Sequence, residues 1–191
     1  MMQNTAVTGV ILAGGQGRRM GGEDKGWVDF QGRPMIQHIL ERLSDQVDEV
    51  IIVANRNQTR YADLGVRVVE DLISGFQGPL VGIATGLTYA SHDQVVFVPC
   101  DGPFISRELV NRFSEEFSNS GKPVIVADDG ERLQPMVVML QKQLLPELQS
   151  ALHAGERKPD RWYAAMGMAQ VSFTADSLYN FNTHEQITPK S

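Results

Sequence analysis

Leu12-Ala13-Gly14-Gly15-Gln16-Gly17-Arg18-Arg19-Met20-Gly21-Gly22-Glu23-Asp24-Lys25-Gly26 carries the apolar run Val10-Ile11-Leu12 into a glycine-rich stretch near the amino end. A turn of glycines after a strand lets backbone N–H groups come close to a phosphate chain, because no Cβ stands between them. Arg18, Arg19 and Lys25 add the positive charge that a triphosphate requires. The stretch therefore reads as a nucleotide-binding loop, and its neighbours narrow the kind. A P-loop needs G-x-x-x-x-G-K followed by Ser or Thr, which the chain lacks. The dinucleotide fingerprint G-x-G-x-x-G starts at Gly15-Gln16-Gly17 but meets Met20 at its third glycine. The next apolar run, Val50–Val53, leads into Ala54-Asn55-Arg56, with no acidic residue at its tip to hold an adenosine ribose.

Working outward, short Val- and Ile-rich runs alternate with helical patterns. Val7–Leu12, Glu49–Val53, Val66–Val69 and Val95–Val98 are short, rich in Val and Ile and bounded by turn residues, and their consecutive apolar positions suit strands covered on both faces. Between the first two, Ile36, Ile39, Leu40, Leu43 and Val47 recur at helical spacing, and the pattern predicts a helix over Pro34–Val47. Pro79–Ala90 repeats the device behind Gly78, and Ser106 is placed to cap a helix with inner face Leu109, Val110, Phe113 and Phe117. Farther on, Pro123–Ala127 and Met136–Leu140 flank Asp128-Asp129-Gly130-Glu131-Arg132, a hairpin pattern. Helices are expected over Leu144–Ala154, closing at Gly155, and after Pro159-Asp160. The order predicts a three-layer α/β/α fold of class α/β, with a mostly parallel, Rossmann-like sheet and ligands at the carboxyl ends of its strands. One domain is expected over residues 1–191, since neither linker nor repeat interrupts the pattern.

Composition limits the partners. The chain is 42% hydrophobic and 21% charged, ordinary for a globular protein, and its net charge of −6 argues against a general nucleic-acid binder. No apolar run approaches the roughly 18 residues of a membrane span. The start of the chain lacks the basic segment and cleavage site of a signal peptide, and Cys100 has no second cysteine to pair with. A cytoplasmic location is the expectation.

Leu12-Ala13-Gly14-Gly15, Arg18-Arg19-Met20-Gly21-Gly22 and Asp24-Lys25-Gly26 resemble the signature of the molybdenum cofactor guanylyltransferase family of nucleotidyltransferases. Gly78-Pro79-Leu80 and Pro99-Cys100-Asp101, with Pro103, look like that family's next landmarks in the right order, and the likeness runs on to Asn180-Phe181-Asn182-Thr183. The resemblance implies a nucleotidyltransferase fold and transfer of GMP from GTP to the phosphate of molybdenum-molybdopterin, with Mg²⁺ and release of pyrophosphate. It places the nucleotide site in the N-terminal half and the acceptor site toward the C-terminal half. Other molybdenum cofactor biosynthesis proteins and molybdoenzyme chaperones are the partners it implies; no nucleic acid or membrane enters. A cytidylyl- or sugar-nucleotide-forming transferase on the same fold stays open, as does a non-catalytic nucleotide-binding module. A dinucleotide-dependent oxidoreductase is disfavoured by Met20.

The chemistry asks little of acids and bases. A phosphate monoester has a second pKa of about 6 and is largely ionised at neutral pH, so the nucleophile needs no base. Negative charge is what must be managed, by cations, backbone donors and a metal ion. Lys25 is the candidate cation for the triphosphate, with Arg19, and after it Arg18, for the leaving pyrophosphate; the arginines read equally as surface charge paired with Glu23 or Asp24. Asp101, just past the Val95–Val98 strand, is the candidate metal ligand, and the resemblance gives the matching aspartate that role. Cys100 reads as a small buried residue, and His38, His92, His153 and His184 have no metal-ligand spacing. Leu12, Ala13, Gly14 and Gly15 are expected to line the nucleotide. Asp71 is placed to accept from the N1–H and exocyclic amine of guanine, with Gly78, Pro79 and Leu80 walling the base. The resemblance implies an asparagine contact to the nucleotide at the end of the second strand, where this chain reads Val53-Ala54-Asn55; either Asn55 substitutes or one contact is absent, and Val53 and Asn55 are both candidates there. Asn180 and Asn182 face one side of an extended segment and are candidates for the pterin; Asn182-Thr183 reads equally as a helix cap. Arg157 and Lys158 are candidates for the acceptor phosphate or finish a helix near its negative end, and Arg132 in the hairpin turn carries the same ambiguity.

Overall fold

A computed structural model describes residues 5–16, 18–75 and 77–187, apart from the side chains of Arg19 and Glu185. The chain opens with β1 (Val7–Leu12), then a tight hairpin of β2 (Asp29–Phe30) and β3 (Arg33–Pro34), followed by α1 (Met35–Ser44) and β4 (Glu49–Val53). Next come α2 (Gln58–Ala62), β5 (Arg67–Val69), α3 (Pro79–Tyr89), β6 (Gln94–Pro99) and α4 (Leu109–Ser120). The second half holds β7 (Val124–Asp128), β8 (Leu133–Gln141), α5 (Leu145–His153), α6 (Pro159–Met166), β9 (Met168–Ser172) and α7 (His184–Ile187).

Seven strands form one sheet in the order β5-β4-β1-β6-β8-β7-β9. Pairs β1–β4, β1–β6, β4–β5 and β7–β9 are parallel, while β8 runs antiparallel to both β6 and β7. The mostly parallel α/β expectation is borne out. β1 lies between two parallel partners, Val10 opposite Ile51 on one side and Phe97 on the other. Chain order reverses there, so the crevice beyond the carboxyl ends of β1, β4 and β6 is the place where such a sheet binds ligands.

Alternation along β1 feeds two apolar layers. Ile11 packs with the α1 and α4 faces, including Ile36, Ile39, Leu43, Phe113 and Phe117. Val10 points the other way, into the layer of Leu80, Ile83 and Leu87 from α3, Leu148 and Leu152 from α5, and Trp162 and Tyr163 from α6. Each fully buried side chain of this size contributes about 1.5–3 kcal/mol, and the two layers lock helices to both faces. From Leu80 to Leu87 every residue of α3 is buried. Gly86 explains how α3 lies so close: a Cβ there would stand 2.5 Å from Cε1 of Phe97.

Differences from the expected bounds have local causes. α1 begins at Met35 rather than Pro34, because Pro34 pairs with Asp29 across the small hairpin and Met35 N–H donates to Val28 O at 2.9 Å. That hairpin turns at Gln31 and Gly32, whose φ values of 52° and 84° suit the twist of a two-residue turn. The Asp128–Arg132 hairpin forms as expected, with Asp129 Oδ1 accepting from Glu131 N–H and Arg132 N–H. Edge strand β9 was not expected. Among the described residues no helix is long and apolar enough to cross a membrane.

Candidate active site

Three strand tips are held level by hydrogen bonds past the sheet proper: Ala13 N–H to Val53 O at 2.8 Å, and Cys100 N–H to Leu12 O at 3.1 Å. Above them opens a cleft of about 810 Å³, lined by Leu12, Ala13, Gly14 and Gly15 from the glycine loop and by Lys25, Val53 and Asp101. The volume is in the range of ordinary small-molecule sites.

On one side stands a charged trio. Lys25 opens a 3₁₀ turn, Lys25–Trp27, whose Gly26 packs directly against the Tyr61 ring, where a Cβ would strike the phenolic oxygen. The preceding Asp24 accepts from Tyr61 O–H at 2.6 Å and Asn57 Nδ2 at 3.0 Å. Lys25 Nζ so placed donates to Asp101 Oδ2 at 3.0 Å and to Asn182 Oδ1 at 2.9 Å. The Lys25 and Asp101 side chains keep 21% and 14% of their exposure, so the pair is only partly screened by solvent. Asp101 is fixed from behind, its carbonyl accepting from Phe181 N–H at 2.9 Å. Burial, reinforced by the Asp101 charge, pushes the Cys100 thiol well above the ordinary range, so it stays protonated and is no nucleophile.

The other side is built around Asp71. Asn55 Nδ2 donates to Asp71 Oδ2 at 2.8 Å, and Asp71 N–H donates back to Asn55 Oδ1 at 2.9 Å. The buried Thr85 hydroxyl approaches Asp71 Oδ1 at 3.4 Å. Gly14 lies tight against this pair: a Cβ there would lie 3.0 Å from Asn55 Nδ2 and 3.1 Å from Asp71 Oδ2 and would have to push them aside. Asp71 lines the cleft, and Asn55 backs it without lining. Gly78, at φ 95°, and Pro79 bring the amino end of α3 to the cleft wall, where the helix dipole favours an anion.

The remaining candidates separate. Leu80 is fully buried in the core beneath α3 and walls nothing, because the helix turns it inward. Arg157 does not reach the cleft: its guanidinium donates to Leu152 O at 2.9 Å, Glu156 O at 2.8 Å and Gln77 Oε1 at 3.2 Å, finishing the carboxyl end of α5. Lys158 is exposed at the cap of α6, outside the cleft lining, and Arg132 is exposed in the hairpin turn. Asn180 stands beside Gly102, where a Cβ would lie 3.1 Å from its Oδ1. Asn182 turns its side chain to Lys25 instead of capping α7, while its N–H and that of Thr183 donate to Gln186 Oε1 within α7. Arg18 lines the cleft and bonds Gln16, not Glu23 or Asp24. The side chain of Arg19 lies outside the described residues. Sequence reasoning missed Asp24, Gly82 and Met136 as lining residues, and missed Arg56, which lies behind the loop. Among the described residues no group of three or more His, Cys, Asp or Glu side chains is arranged to hold a metal.

A family model described as the MobA-like NTP transferase domain matches residues 9–171. A curated relative named molybdenum cofactor guanylyltransferase, from Shewanella sp. (strain MR-4), is 45% identical over 182 residues, covering 94% of this chain and 92% of the relative. Its namesake from Shewanella sediminis (strain HAW-EB3) is 43% identical, covering 94% and 93%. Among solved structures, molybdopterin-guanine dinucleotide biosynthesis protein A from Archaeoglobus fulgidus superposes with a TM-score of 0.77 at 22% identity, over 94% of both chains. A 4-diphosphocytidyl-2C-methyl-D-erythritol synthase from Anaerococcus prevotii gives 0.73 at 15% identity over 97% and 96%, a likeness of fold alone. With the match spanning the glycine loop, Asp71 and Asp101, the chain belongs to the MobA-like NTP transferases, as a member of the molybdenum cofactor guanylyltransferase family.

Proposed function

We propose that this enzyme transfers GMP from GTP to the phosphate of molybdenum-molybdopterin, releasing pyrophosphate. The observation that carries the reading is the approach of Lys25 and Asp101 to 3.0 Å in one cleft that Asp71 also lines. A cation for phosphates, a carboxylate for a metal and a carboxylate for a base thus address a single ligand. Asp71, held by Asn55 and Thr85, offers acceptors to the N1–H and 2-amino donors of guanine; cytosine has no such donor pair. The names of the relatives supply the acceptor.

Mg²⁺ suits the donor set. This ion is ordinarily held by one or two carboxylates together with substrate phosphates and water rather than by a protein cage. Asp101 is such a carboxylate, and its Oδ1 accepts no hydrogen bond from the described residues. When bound, the ion neutralises charge on the phosphates. The chain's own groups do the rest. The glycine loop offers N–H donors and the start of α3 its dipole, while Lys25, Arg18 and Arg19 oppose the charge of the triphosphate and the departing pyrophosphate. Asn180 and Asn182 orient the acceptor.

The test is Mg²⁺-dependent pyrophosphate release with metallated molybdopterin, comparing GTP with CTP. GTP should be preferred by at least about a hundredfold, a modest demand beside the roughly 10⁴-fold by which a site built to hydrogen-bond its substrate can reject an analogue lacking the donors. Preference for CTP would overturn the assignment, and GTP binding without pyrophosphate release would favour a non-catalytic nucleotide module.

A further inference from the structure

Behind the glycine loop, facing away from the cleft floor, lies the run Asn55-Arg56-Asn57, which the transfer chemistry does not use directly. Its side chains touch the loop at both of its ends. Asn55 Nδ2 reaches Gly14 O at 3.4 Å, and Asn57 Nδ2 reaches Asp24 Oδ2 at 3.0 Å. Between them Arg56 does the most. Its Nη1 donates to Gly22 O at 2.5 Å, and its Nη2 to Glu23 O at 3.0 Å and Gly15 O at 3.5 Å.

These three carbonyls come from both ends of the loop, residue 15 on entry and residues 22 and 23 on exit. A planar, forked guanidinium spans that gap with separate N–H groups, whereas a lysine ammonium is a single point at the end of a flexible stem. Across a trans peptide the N–H points opposite to the C=O. Holding the Gly15 and Glu23 carbonyls on Arg56 therefore turns the N–H groups of Gln16 and Asp24 away from it. Gly21 and Gly22, at φ 68° and 86°, have no side chain to stiffen the loop, and a Cβ on either would meet nothing within 4 Å. The loop is thus not held by packing at those positions. Its exit end depends on the guanidinium and on Tyr61 and Asn57 at Asp24.

We propose that Arg56 is a positioning residue that locks the two ends of the glycine loop together before nucleotide binds, so that GTP meets donors already oriented. The proposal rests on the GTP reading above for its kinetic arm and for protection by GTP, and is independent of it in the nucleotide-free cleavage comparison. Without the lock, ordering the loop falls to the nucleotide, which weakens binding and leaves the bound complex competent.

Arg56→Ala and Arg56→Lys should be compared with wild type in two measurements. The first is the rate of trypsin cleavage after Arg18, without nucleotide and with saturating GTP. Cleavage should quicken at least tenfold in the nucleotide-free alanine variant, less in the lysine variant, and return toward the wild-type rate with GTP. The second is steady-state turnover, where KM for GTP should rise at least tenfold with kcat within threefold of wild type, the lysine variant lying between. If Arg56→Ala melts below the assay temperature, Arg56→Lys decides. Unchanged cleavage in the folded variants overturns the lock, and a loss confined to kcat overturns its positioning role. Wild-type protein that turns over no GTP would sink the proposed function alone, and the nucleotide-free cleavage comparison would still judge Arg56.

Discussion

Lys25 Nζ lies 3.0 Å from Asp101 Oδ2, joining the glycine loop to the tip of β6 across 76 positions of chain. The ammonium takes Oδ2 and leaves Oδ1 open, so under the proposed function Lys25 and the metal would share one carboxylate, and Lys25 would weaken metal binding until phosphates offered it another partner. Lys25→Ala should lower turnover at least tenfold, about 1.4 kcal/mol of transition-state stabilisation, with an unchanged circular dichroism spectrum. Lys25→Met should bind Mn²⁺ at least about threefold tighter than wild type without nucleotide, the modest worth of a partly exposed ion pair. Free Mn²⁺ measured by electron paramagnetic resonance reads this directly. Equal affinity in the two proteins would mean that Lys25 does not compete at Asp101.

Asn55 fixes Asp71 by a reciprocal pair of hydrogen bonds at 2.8 and 2.9 Å. Asn55→Ala should therefore cost selectivity more than speed. Inosine triphosphate keeps the N1–H of guanine but lacks the 2-amino group, so the ratio of kcat/KM values for GTP and ITP reports the second hydrogen bond. That ratio should fall by about tenfold, the scale of one hydrogen bond to a charged acceptor. An unchanged ratio would remove Asp71 from base recognition.

Gly86 admits α3 to the sheet, its missing Cβ leaving room for the Phe97 ring. Gly86→Ala should destabilise by about 1–3 kcal/mol through overpacking, seen as a lower Tm, despite alanine's better helix propensity. Phe97→Leu in the same chain should recover part of the loss. A Gly86→Ala protein with wild-type Tm would contradict the packing described.

Glu49 titrates below its ordinary range. Burial pushes its carboxyl up, but donation from the Thr8 hydroxyl at 2.7 Å and from the Ser91 N–H and hydroxyl, both at 2.9 Å, outweighs that. A carboxyl depressed in the folded state stabilises above its unfolded pKa, and the contribution fades as pH falls through the folded value. Glu49→Gln should lower Tm at neutral pH, with the gap to wild type narrowing once pH drops below 4.5, the unperturbed value. A gap constant from pH 7 to pH 3 would show that ionisation of Glu49 contributes nothing.

The sheet and its helices were legible because Val10–Leu12 and Val50–Val53 are consecutive apolar residues, as strands covered by helices require, while Ile36, Ile39 and Leu43 keep helical spacing. β9 escaped notice because an edge strand leaves a weak pattern: Val171 is its one buried position. In the cleft, glycine spacing and the carboxylates at strand tips were readable as residue types. Leu80 was misplaced because α3 is apolar all round and adjacency to Pro79 does not say which face looks outward. Arg157 followed from charge and position alone, and charge does not reveal that a guanidinium is taken up by the carbonyls of its own helix end. Arg56 was invisible for a related reason: its partners are backbone carbonyls, which any sequence provides.

Asn182 meets Lys25 from 157 positions downstream. During synthesis the amino-terminal strands emerge and pair first, so the sheet around β1, β4 and β6 is available long before the lysine receives its amide neighbour. A shortened protein stopping ahead of Asn180 would accordingly retain most of its folded framework and still lack a finished reaction centre. Under the proposed function, completion of the pocket would wait for the last part of the chain, although its glycine loop is among the first residues made.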